Sequence, residues 1–314
     1  MTILGHIHTF NDEEIIDRSL QALLEQTHQL DEIVLVDNAS TDLTLARPFP
    51  KQVTVIKHQE NRGTSGAVIA GMQYALVKQH EWIYILDADS VPCKDALEKL
   101  IELYRSFPPD LQARTWRLSS LPIEAPRNEP RHGIIFTPRG CKMVKPRSDQ
   151  VFYECDSTIW SGSLYKLSAV REVGLPNPDY VLDWGEYEYG YLGKQHGYLA
   201  FMHQESTMAH SVGDVELPAH IYRLGPLSVT IKQIKVPAIR LYYIFRNTLY
   251  FWIYVYHKGN VFKYLSQPSG SPNFVHLLKY VVRIFFLSRN RWEDLRACLR
   301  GARDGLRKDL QRRY

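Results

Sequence analysis

The stretch EWIYILDADS, residues 81–90, decides the fold. Its apolar run from Trp82 to Leu86 predicts a buried strand, because a short apolar run between polar residues is typical of a strand covered on both faces. The strand ends in two carboxylates, Asp87 and Asp89, with one small residue between them. Taken alone, this pair fits a solvated turn and a divalent cation site about equally well, so the rest of the sequence has to discriminate.

The composition is that of an ordinary globular protein. The 314 residues are 45% hydrophobic and 23% charged, which allows one large domain or two smaller ones and excludes a disordered or fibrous chain. The cysteines form no CxxC pair and lie at Cys93, Cys141, Cys155 and Cys298. This scatter argues against a zinc ribbon or a disulfide scaffold and suits a reducing compartment. The N-terminus is too polar for a signal peptide, so we expect a cytoplasmic protein.

Strand and helix patterns alternate through residues 1–107. Apolar runs predict further strands in TILGHIHTF (2–10), DEIVLVDN (31–38) and QVTVIKH (52–58). Helical periodicity predicts helices in NDEEIIDRSLQALLEQT (11–27), SGAVIAGMQYALVKQ (65–79) and CKDALEKLIELYRSF (93–107). Short strands separated by helices predict an α/β fold, Rossmann-like, with a mostly parallel central sheet and helices on both faces.

The pattern weakens after Pro108. SSLPIEAPRNEPRHG (119–133) is interpreted as a long loop. Further strands are predicted in GIIFT (133–137) and QVFYECDSTIW (150–160), and a short helix in KLSAVREVG (166–174).

The C-terminal region is aromatic and basic. From Lys258 to Tyr314, 13 Lys and Arg stand against 4 Asp and Glu, a net charge of +9, whereas the whole chain carries +4. Such a tail is expected to contact something anionic, either nucleic acid or a membrane surface. Charged residues interrupt the apolar segments 238–259 and 274–292, so neither predicts a spanning helix. Aromatic and basic residues together favour helices lying in the membrane interface, and a helical pair packed on the sheet is the alternative.

Polar residues follow three of the predicted strands: Thr9 and Asn11, then Asp37 and Asn38, then Asp87 and Asp89. In an open α/β sheet, ligands bind beyond the carboxyl ends of the strands. Helix capping explains one such cluster but not three at one edge. The sequence therefore predicts a ligand site there.

Four segments resemble family 2 glycosyltransferases, which have the GT-A fold and bind nucleotide-sugars. They are TFNDEE (9–14), VDNASTD (36–42), NRGTSGAVIAGMQYA (61–75) and ILDADS (85–90), in the order and spacing of that family. The first strand is not followed by GxGxxG, and the sequence has no P-loop lysine, so dinucleotide-binding and P-loop folds are not favoured.

The resemblance implies donor-side roles. It places Thr9, Phe10, Asn11, Asp37, Arg62 and Gly63 around the nucleotide, with Asp37 on a pyrimidine base. Asp87 lies by the ribose and the metal, and Asp89 is the direct metal ligand. A divalent cation, Mg²⁺ or Mn²⁺, neutralises charge on the leaving diphosphate, because these ions are held by hard oxygen ligands.

The resemblance also assigns acceptor-side roles. Ser161 and Gly162, in STIWSGSLYKLSAVREVGLP (157–176), border the sugar pocket. The segment YVLDWGEYEYGYLGKQHGY (180–198) carries the catalytic base, usually in the pattern D-x-x-D-x-[DE], which aligns with Asp183, Glu186 and Glu188. Its middle position makes Glu186 the base and leaves Asp183 as the alternative. Two departures weaken the match: the base is Glu instead of Asp, and Leu192 stands where the family has Arg.

Histidines complete the predicted site. His210, in MAHSVGD (208–214), matches a family histidine that joins the metal site, and His203 is its rival. His6 and His8 are interpreted as packing residues of the first strand. In RLYYIFRNTLYFW (240–252), Tyr242, Arg246 and Asn247 are expected to contact the acceptor.

These features predict a metal-dependent, inverting glycosyltransferase of the rhamnosyl- or galactofuranosyl-transferring subgroup. Residues 1–107 would bind the nucleotide-sugar, residues 108–235 would hold the acceptor and the base, and residues 236–314 would form membrane-associated helices. The expected partners are a nucleotide-diphosphate sugar, a glycan or lipid-linked acceptor, an anionic membrane surface at the cytoplasmic side, and a second copy of the chain. Nucleic acid is not expected. A nucleotide-binding protein without activity is the alternative from another class.

Overall fold

The computed structural model describes residues 1–125, 128–211, 219–224, 227–232, 236–267, 274–288 and 290–311. They fall into two units. The first comprises Met1–Thr137, Cys141–Val181 and Gly185–Ser211, and the second comprises Pro138–Gly140, Leu182–Trp184 and Val212–Tyr314. The three-part division of the chain made from the sequence stays a prediction.

Strands and helices alternate through the first half of the chain. In order they are β1 (Ile3–Thr9), α1 (Ile16–Leu24), β2 (Glu32–Asp37), β3 (Val53–Lys57), α2 (Gly63–Val77), β4 (Trp82–Asp87), β5 (Ser90–Pro92), α3 (Ala96–Ser106) and α4 (Pro109–Arg114). The chain continues with β6 (Thr115–Ala125), β7 (Glu129–Pro130), β8 (Gly133–Thr137), β9 (Gly140–Val144), β10 (Phe152–Glu154), β11 (Ser163–Lys166), α5 (Leu167–Val173), α6 (Gly185–Gln195) and β12 (Leu199–Ser211).

A ten-stranded sheet runs through the first unit. Eight of its strands follow the order β3-β2-β1-β4-β11-β6-β12-β10, while β5 pairs with β12 and β7 with β6. β1 lies parallel to β2 and β4, β2 is parallel to β3, and β6 is parallel to β12. β11 is antiparallel to both of its neighbours. The predicted α/β fold with a mostly parallel central sheet is confirmed.

Alternation along the strands separates the two cores of the sheet. In β4, Tyr84 and Leu86 pack with the apolar residues of α1 and α3, whereas Ile83 and Ile85 pack with those of α2 and α5. All four side chains are fully buried. Since successive side chains of a strand point to opposite faces, both faces of the sheet are covered by helices, as predicted. Each such side chain stabilises the fold by about 1.5–3 kcal/mol through burial.

The segment interpreted as a loop begins inside the sheet. Ser119 to Ala125 complete the 11-residue strand β6, which lies between β11 and β12. Ser119 Oγ lies 3.1 Å from Ser163 Oγ, and Ser120 Oγ lies 2.7 Å from Ser206 Oγ, so buried hydroxyls bond to each other across neighbouring segments. The loop prediction was wrong there, because serine in a sequence indicates a turn unless its buried partner is known.

The second unit is helical in its C-terminal part. Its elements are β13 (Ala219–Leu224), β14 (Leu227–Lys232), α7 (Ala238–Tyr250), a π-helix (Phe251–Tyr256), α8 (Val261–Leu265), α9 (Phe274–Leu287) and α10 (Arg291–Leu306). Within the described ranges, no helix is long and apolar enough to cross a membrane.

Helix α7 packs closely on α10. A Cβ added at Gly301 would lie 2.2 Å from the Tyr242 carbonyl oxygen, so only glycine fits at this crossing. Arg246 donates from Nη1 to the Leu310 carbonyl at 2.7 Å, and Asn247 donates from Nδ2 to the Leu182 carbonyl at 2.7 Å. Tyr242, Arg246 and Asn247 are all buried. The predicted acceptor contact of these three side chains is therefore wrong, since they hold the second unit together.

Candidate functional site

The parallel strands bring the predicted polar clusters to one edge of the sheet. Thr9 at the end of β1 pairs with Asp37 at the end of β2. On the other side of β1, His8 pairs with Asp87 at the end of β4. Because parallel strands end at the same edge, this register alone places the three clusters next to one another.

Asp87, Asp89 and His210 form a cluster that could hold a metal ion. Each offers one ligand atom, and these atoms lie within 4.8 Å of one another. β5 brings the histidine to the carboxylates, since Ser90 pairs with His210 of β12. His210 Nδ1 lies 2.9 Å from Ser90 Oγ and 3.3 Å from Asp89 Oδ1. Two carboxylates and an imidazole are a suitable donor set for a divalent transition metal such as Mn²⁺.

The carboxyl groups and imidazoles of the cluster affect one another's ionisation. Burial opposes ionisation of Asp87, but the charges of His8 and His210 hold the pKa of this carboxyl below its usual range. Burial also opposes the charged form of His210, while Asp89 and Asp87 raise the pKa of this imidazole. Asp87 Oδ1 is buried, and His8 Nε2 lies 3.0 Å from it.

The three other histidines considered in the sequence differ in their contacts. The prediction that His8 is a packing residue is wrong, because its Nε2 lies 3.0 Å from Asp87 Oδ1. His8 is therefore placed to orient a candidate metal ligand. His6 is fully buried beside it, as predicted. His203, the rival to His210, accepts at Nδ1 from the backbone N–H of Glu205 at 3.1 Å and turns the chain locally.

The loop after β1 forms the predicted nucleotide side of the site. Thr9 is buried and donates from Oγ1 to Asp12 Oδ2 at 2.8 Å, which also accepts the Phe10 N–H at 2.9 Å. The Phe10 residue is 44% exposed, which leaves its ring accessible to a planar base. Asn11 adopts φ 58° and accepts at Oδ1 from the Thr41 N–H at 2.8 Å. The loop is therefore held by its own hydrogen bonds and offers Phe10 at the surface.

The loop after β2 is joined to the start of α2. Asp37 is buried and accepts the Ser40 N–H at 3.2 Å. Asn38 donates from Nδ2 to the Gly63 carbonyl at 2.9 Å and accepts at Oδ1 from the Arg62 N–H at 3.3 Å. The Arg62 side chain is exposed. Three predicted residues, Asp37, Arg62 and Gly63, thus share one hydrogen-bonded corner.

Gly63 is required for a reason internal to the protein. It adopts φ +70°, and a Cβ there would lie 2.2 Å from the Val181 carbonyl oxygen. The same carbonyl accepts the Thr64 N–H at 3.0 Å. The resemblance implied a close approach to the nucleotide, whereas the structure shows a close approach to the backbone at Val181.

Ser161 and Gly162 lie beside the carboxylate cluster. Ser161 is buried and accepts the Asp87 N–H at Oγ, 3.0 Å away. Gly162 adopts φ +73° and donates its N–H to the Ile85 carbonyl at 2.8 Å. Both residues bond to the end of β4, and Ser161 contacts Asp87 itself.

The three acids of the predicted base segment have distinct environments. Glu186 is half-buried in the first turn of α6. Asp183 belongs to the second unit, where Arg240 donates to both carboxylate oxygens at 3.1 and 2.9 Å. Glu188 is buried and accepts the Tyr180 hydroxyl at 2.5 Å; burial raises the pKa of this carboxyl. Asp183 and Glu188 are thus engaged in structural contacts.

Arg131 is a site residue that the sequence did not reveal. It follows β7 and donates from Nη1 to Glu124 Oε1 at 3.3 Å. Burial opposes its charge, but Tyr187, Glu124 and Glu186 together raise the pKa of the guanidinium above its ordinary value. The arginine lies in the segment interpreted as a loop, and no spacing in the sequence links it to Glu186 or His210.

Comparison with known proteins agrees with this geometry. Residues 6–155 match the family described as Glycosyl transferase family 2. The matched residues are just under half of the chain. They include the polar ends of β1, β2 and β4, and the predicted resemblance to this family is confirmed over this range.

Curated relatives match over a similar range. Succinoglycan biosynthesis protein ExoO of Rhizobium meliloti (strain 1021) is 34% identical over 100 residues, which are 31% of this chain and 28% of the relative. Galactofuranosyltransferase GlfT1 of Mycolicibacterium smegmatis is 30% identical over 88 residues, 27% of this chain and 28% of the relative. The chain thus matches these two relatives over less than a third of their length.

Solved structures share the fold. Mannosyltransferase PcManGT from Pyrobaculum calidifontis, in complex with GDP-Man and Mn²⁺, has a TM-score of 0.56 at 15% identity and covers 97% of this chain and 86% of its own. GalNAc-T7 with UDP, GalNAc and Mn²⁺ has a TM-score of 0.55 at 18% identity and covers 67% and 44%. At these identities the likeness concerns the fold alone, which is GT-A.

Proposed function

We propose that the protein is a metal-dependent, inverting glycosyltransferase that moves a sugar from a nucleoside diphosphate to a glycan or lipid-linked acceptor in polysaccharide synthesis. The observation that supports this function is the Asp87–Asp89–His210 cluster, whose two carboxylates lie within the residues that match glycosyl transferase family 2. A nucleotide-sugar needs a cation at its diphosphate, and this cluster could hold one where the parallel strands end.

The chemistry assigns roles to the chain's own residues. Asp87, Asp89 and His210 would hold Mn²⁺ or Mg²⁺, and the bound cation would offset negative charge on the departing diphosphate. Glu186 takes the proton from the hydroxyl group of the acceptor while the oxygen of that hydroxyl forms a bond to the anomeric carbon. The bond from the anomeric carbon to the β-phosphate oxygen breaks, and its electron pair leaves with the nucleoside diphosphate. Attack from the opposite face inverts the anomeric centre.

Glu186 is a better base than Asp183. Arg240 donates to both carboxylate oxygens of Asp183, so this carboxylate is engaged before any acceptor binds. Glu186 stands in the first turn of α6 beside the positive charge of Arg131. The Glu186 side chain is half-buried there, and the family resemblance places the base at this position.

The donor sugar has two first candidates, dTDP-rhamnose and UDP-galactofuranose. Both belong to the subgroup predicted from the sequence, and the relative named as a galactofuranosyltransferase favours the latter. Other UDP-sugars and GDP-mannose complete the panel, because a structural neighbour was solved with GDP-Man.

The function is tested by incubating purified protein with each donor and measuring released nucleoside diphosphate. We expect one donor to be consumed when Mn²⁺ or Mg²⁺ is present and the release to fall to background with EDTA, because a bound cation stabilises the leaving group. A protein that binds UDP, dTDP or GDP with Mn²⁺ but neither transfers nor hydrolyses any donor would instead be a nucleotide-binding protein without activity.

We further propose that α8 and α9 contact an anionic membrane surface from the cytoplasmic side. Phe262 is 84% exposed and Phe286 is 67% exposed, and the cations Lys279 and Arg283 share one face of α9 with Phe286. Exposed aromatic side chains interleaved with cations are typical of helices that lie in the interface of a bilayer. A surface there would bring a lipid-linked acceptor to the enzyme.

Sedimentation with liposomes tests this contact. We expect the protein to pellet with vesicles containing phosphatidylglycerol and to bind less in high salt, since each cation near the surface contributes about 1 kcal/mol. Phe286→Glu should weaken binding by about tenfold or more. Val77→Glu, at an equally exposed apolar position in the first unit, is the matched control. Equal binding by both variants would exclude α9 from the contact, and salt-dependent DNA binding would favour nucleic acid.

A further inference from the structure

We infer that Arg131, the ion-pair partner of Glu124 on the strand next to His210, is a binding residue for the donor diphosphate. This inference rests on the proposed function. It concerns the segment after β6 that the sequence did not connect to the site, and it assigns to Arg131 a contact with the phosphate oxygens of a nucleoside diphosphate.

The backbone carries Arg131 to the metal cluster. In the parallel pair β6–β12, Glu124 is the register partner of His210, and adjacent strands lie about 4.8 Å apart. β7 then folds back on β6, with Pro130 paired to Ile123. The Arg131 N–H is donated to the Pro122 carbonyl at 2.8 Å, so the residue is fixed to the strand next to the ligand.

The side chain is held by acids on two elements. Glu124 of β6 accepts from Nη1 at 3.3 Å, and Glu186 of α6 acts on the guanidinium through its charge. The positive charge of Arg131 also acts on His210, where it opposes protonation of the imidazole. The side chain stays 30% exposed, and a guanidinium has five N–H donors. Hydrogen bonds to Glu124 and Tyr187 therefore orient the group.

The charges around the site explain why a fixed cation is useful there. Asp87, Asp89, Glu124 and Glu186 are four carboxylates that would repel a diphosphate. Arginine recognises phosphate through paired, charge-assisted hydrogen bonds. A structural role limited to neutralising Glu124 would need neither the partial exposure of Arg131 nor its attachment to the strand next to His210.

Nucleotide binding tests the inference without turnover. Affinities are measured for the pairs UDP and UMP, dTDP and dTMP, and GDP and GMP, with Mn²⁺ and with EDTA. We expect Arg131→Gln to weaken binding of the nucleoside diphosphate by about 10- to 100-fold, as loss of a charged hydrogen bond implies. The affinity for the monophosphate should be unchanged. The affinity of Arg131→Lys for the diphosphate should lie between those of the wild type and Arg131→Gln, because lysine keeps the charge but lacks the paired N–H donors of the guanidinium. Arg147→Gln, which removes an exposed ion pair with Asp149, is the matched control.

Three outcomes would overturn the inference. Equal weakening of diphosphate and monophosphate would indicate a structural role. A parallel loss of Mn²⁺ affinity, measured without nucleotide by electron paramagnetic resonance, would mean that Arg131 acts through the metal ligands. Unchanged binding by folded Arg131→Lys and Arg131→Gln would exclude any contact. A wild-type protein that binds none of the nucleotides would overturn the proposed function as well.

Discussion

Replacing Asp89 by Asn is expected to abolish metal-dependent donor turnover. Asp89 Oδ1 lies 3.3 Å from His210 Nδ1, and both residues belong to the cluster whose ligand atoms lie within 4.8 Å. Asparagine keeps the size of the side chain and removes the negative charge that a divalent cation requires. We expect Mn²⁺ affinity and donor consumption each to fall by about 100-fold or more, since a direct ligand matters at least as much as its supporting contacts.

The control is another aspartate close to Asp89 in the sequence, whose partner is a lysine outside the cluster. Asp95 pairs with Lys99 at 2.8 Å and stands just before α3, so Asp95→Asn should leave Mn²⁺ binding and turnover unchanged. The measurements are Mn²⁺ titration by paramagnetic resonance and release of nucleoside diphosphate, each with a thermal melt to verify folding. Wild-type Mn²⁺ affinity in Asp89→Asn would mean that this residue is not a ligand, and that the Asp87 and His210 assignments must be reconsidered.

The sequence predicted the carboxylate edge of the site because that edge depends on local patterns. Apolar runs fix where β1, β2 and β4 end, and the parallel register then brings Thr9, Asp37 and Asp87 together. His210 could be predicted only through the family resemblance. Its approach to Asp89 depends on the pairing of Ser90 with β12, a contact between residues 120 positions apart.

What the sequence missed depends on tertiary contacts. His8 resembles any polar residue of a strand until β4 is placed beside it with Asp87 at the same level. Arg131 is one of many arginines in the sequence, and only the β6–β12 register relates it to His210. An acceptor contact was predicted for Tyr242, Arg246 and Asn247 because a sequence does not show whether a polar side chain is buried or exposed. Burial decides between these roles, and it depends on how α10 covers α7.

Replacing Glu186 by Gln is expected to separate binding from chemistry. Glutamine has the same shape but cannot accept the acceptor proton at neutral pH, so we expect kcat to fall by about 10²- to 10⁴-fold, the usual contribution of a general base. Donor KM and the affinity for the nucleoside diphosphate should change little, because Glu186 acts on the acceptor side. The acid limb of the pH–rate profile reports ionisation of the base, and it should be absent in Glu186→Gln.

Two neighbouring acids supply the controls for Glu186. Asp183→Asn loses the paired contact with Arg240, an ion pair that contributes about 1 kcal/mol or less where it is exposed, and it should keep turnover. Glu188→Gln keeps a partner for the Tyr180 hydroxyl and should also remain active. If Asp183→Asn were inactive while Glu186→Gln turned over normally, the base would be Asp183. The proton would then pass to a carboxylate that has to leave Arg240 first, and adding the Arg240→Gln variant should alter the same pH limb. If Glu186 is the base, Arg240→Gln leaves that limb in place, because the guanidinium then only anchors residues 182–184 to α7.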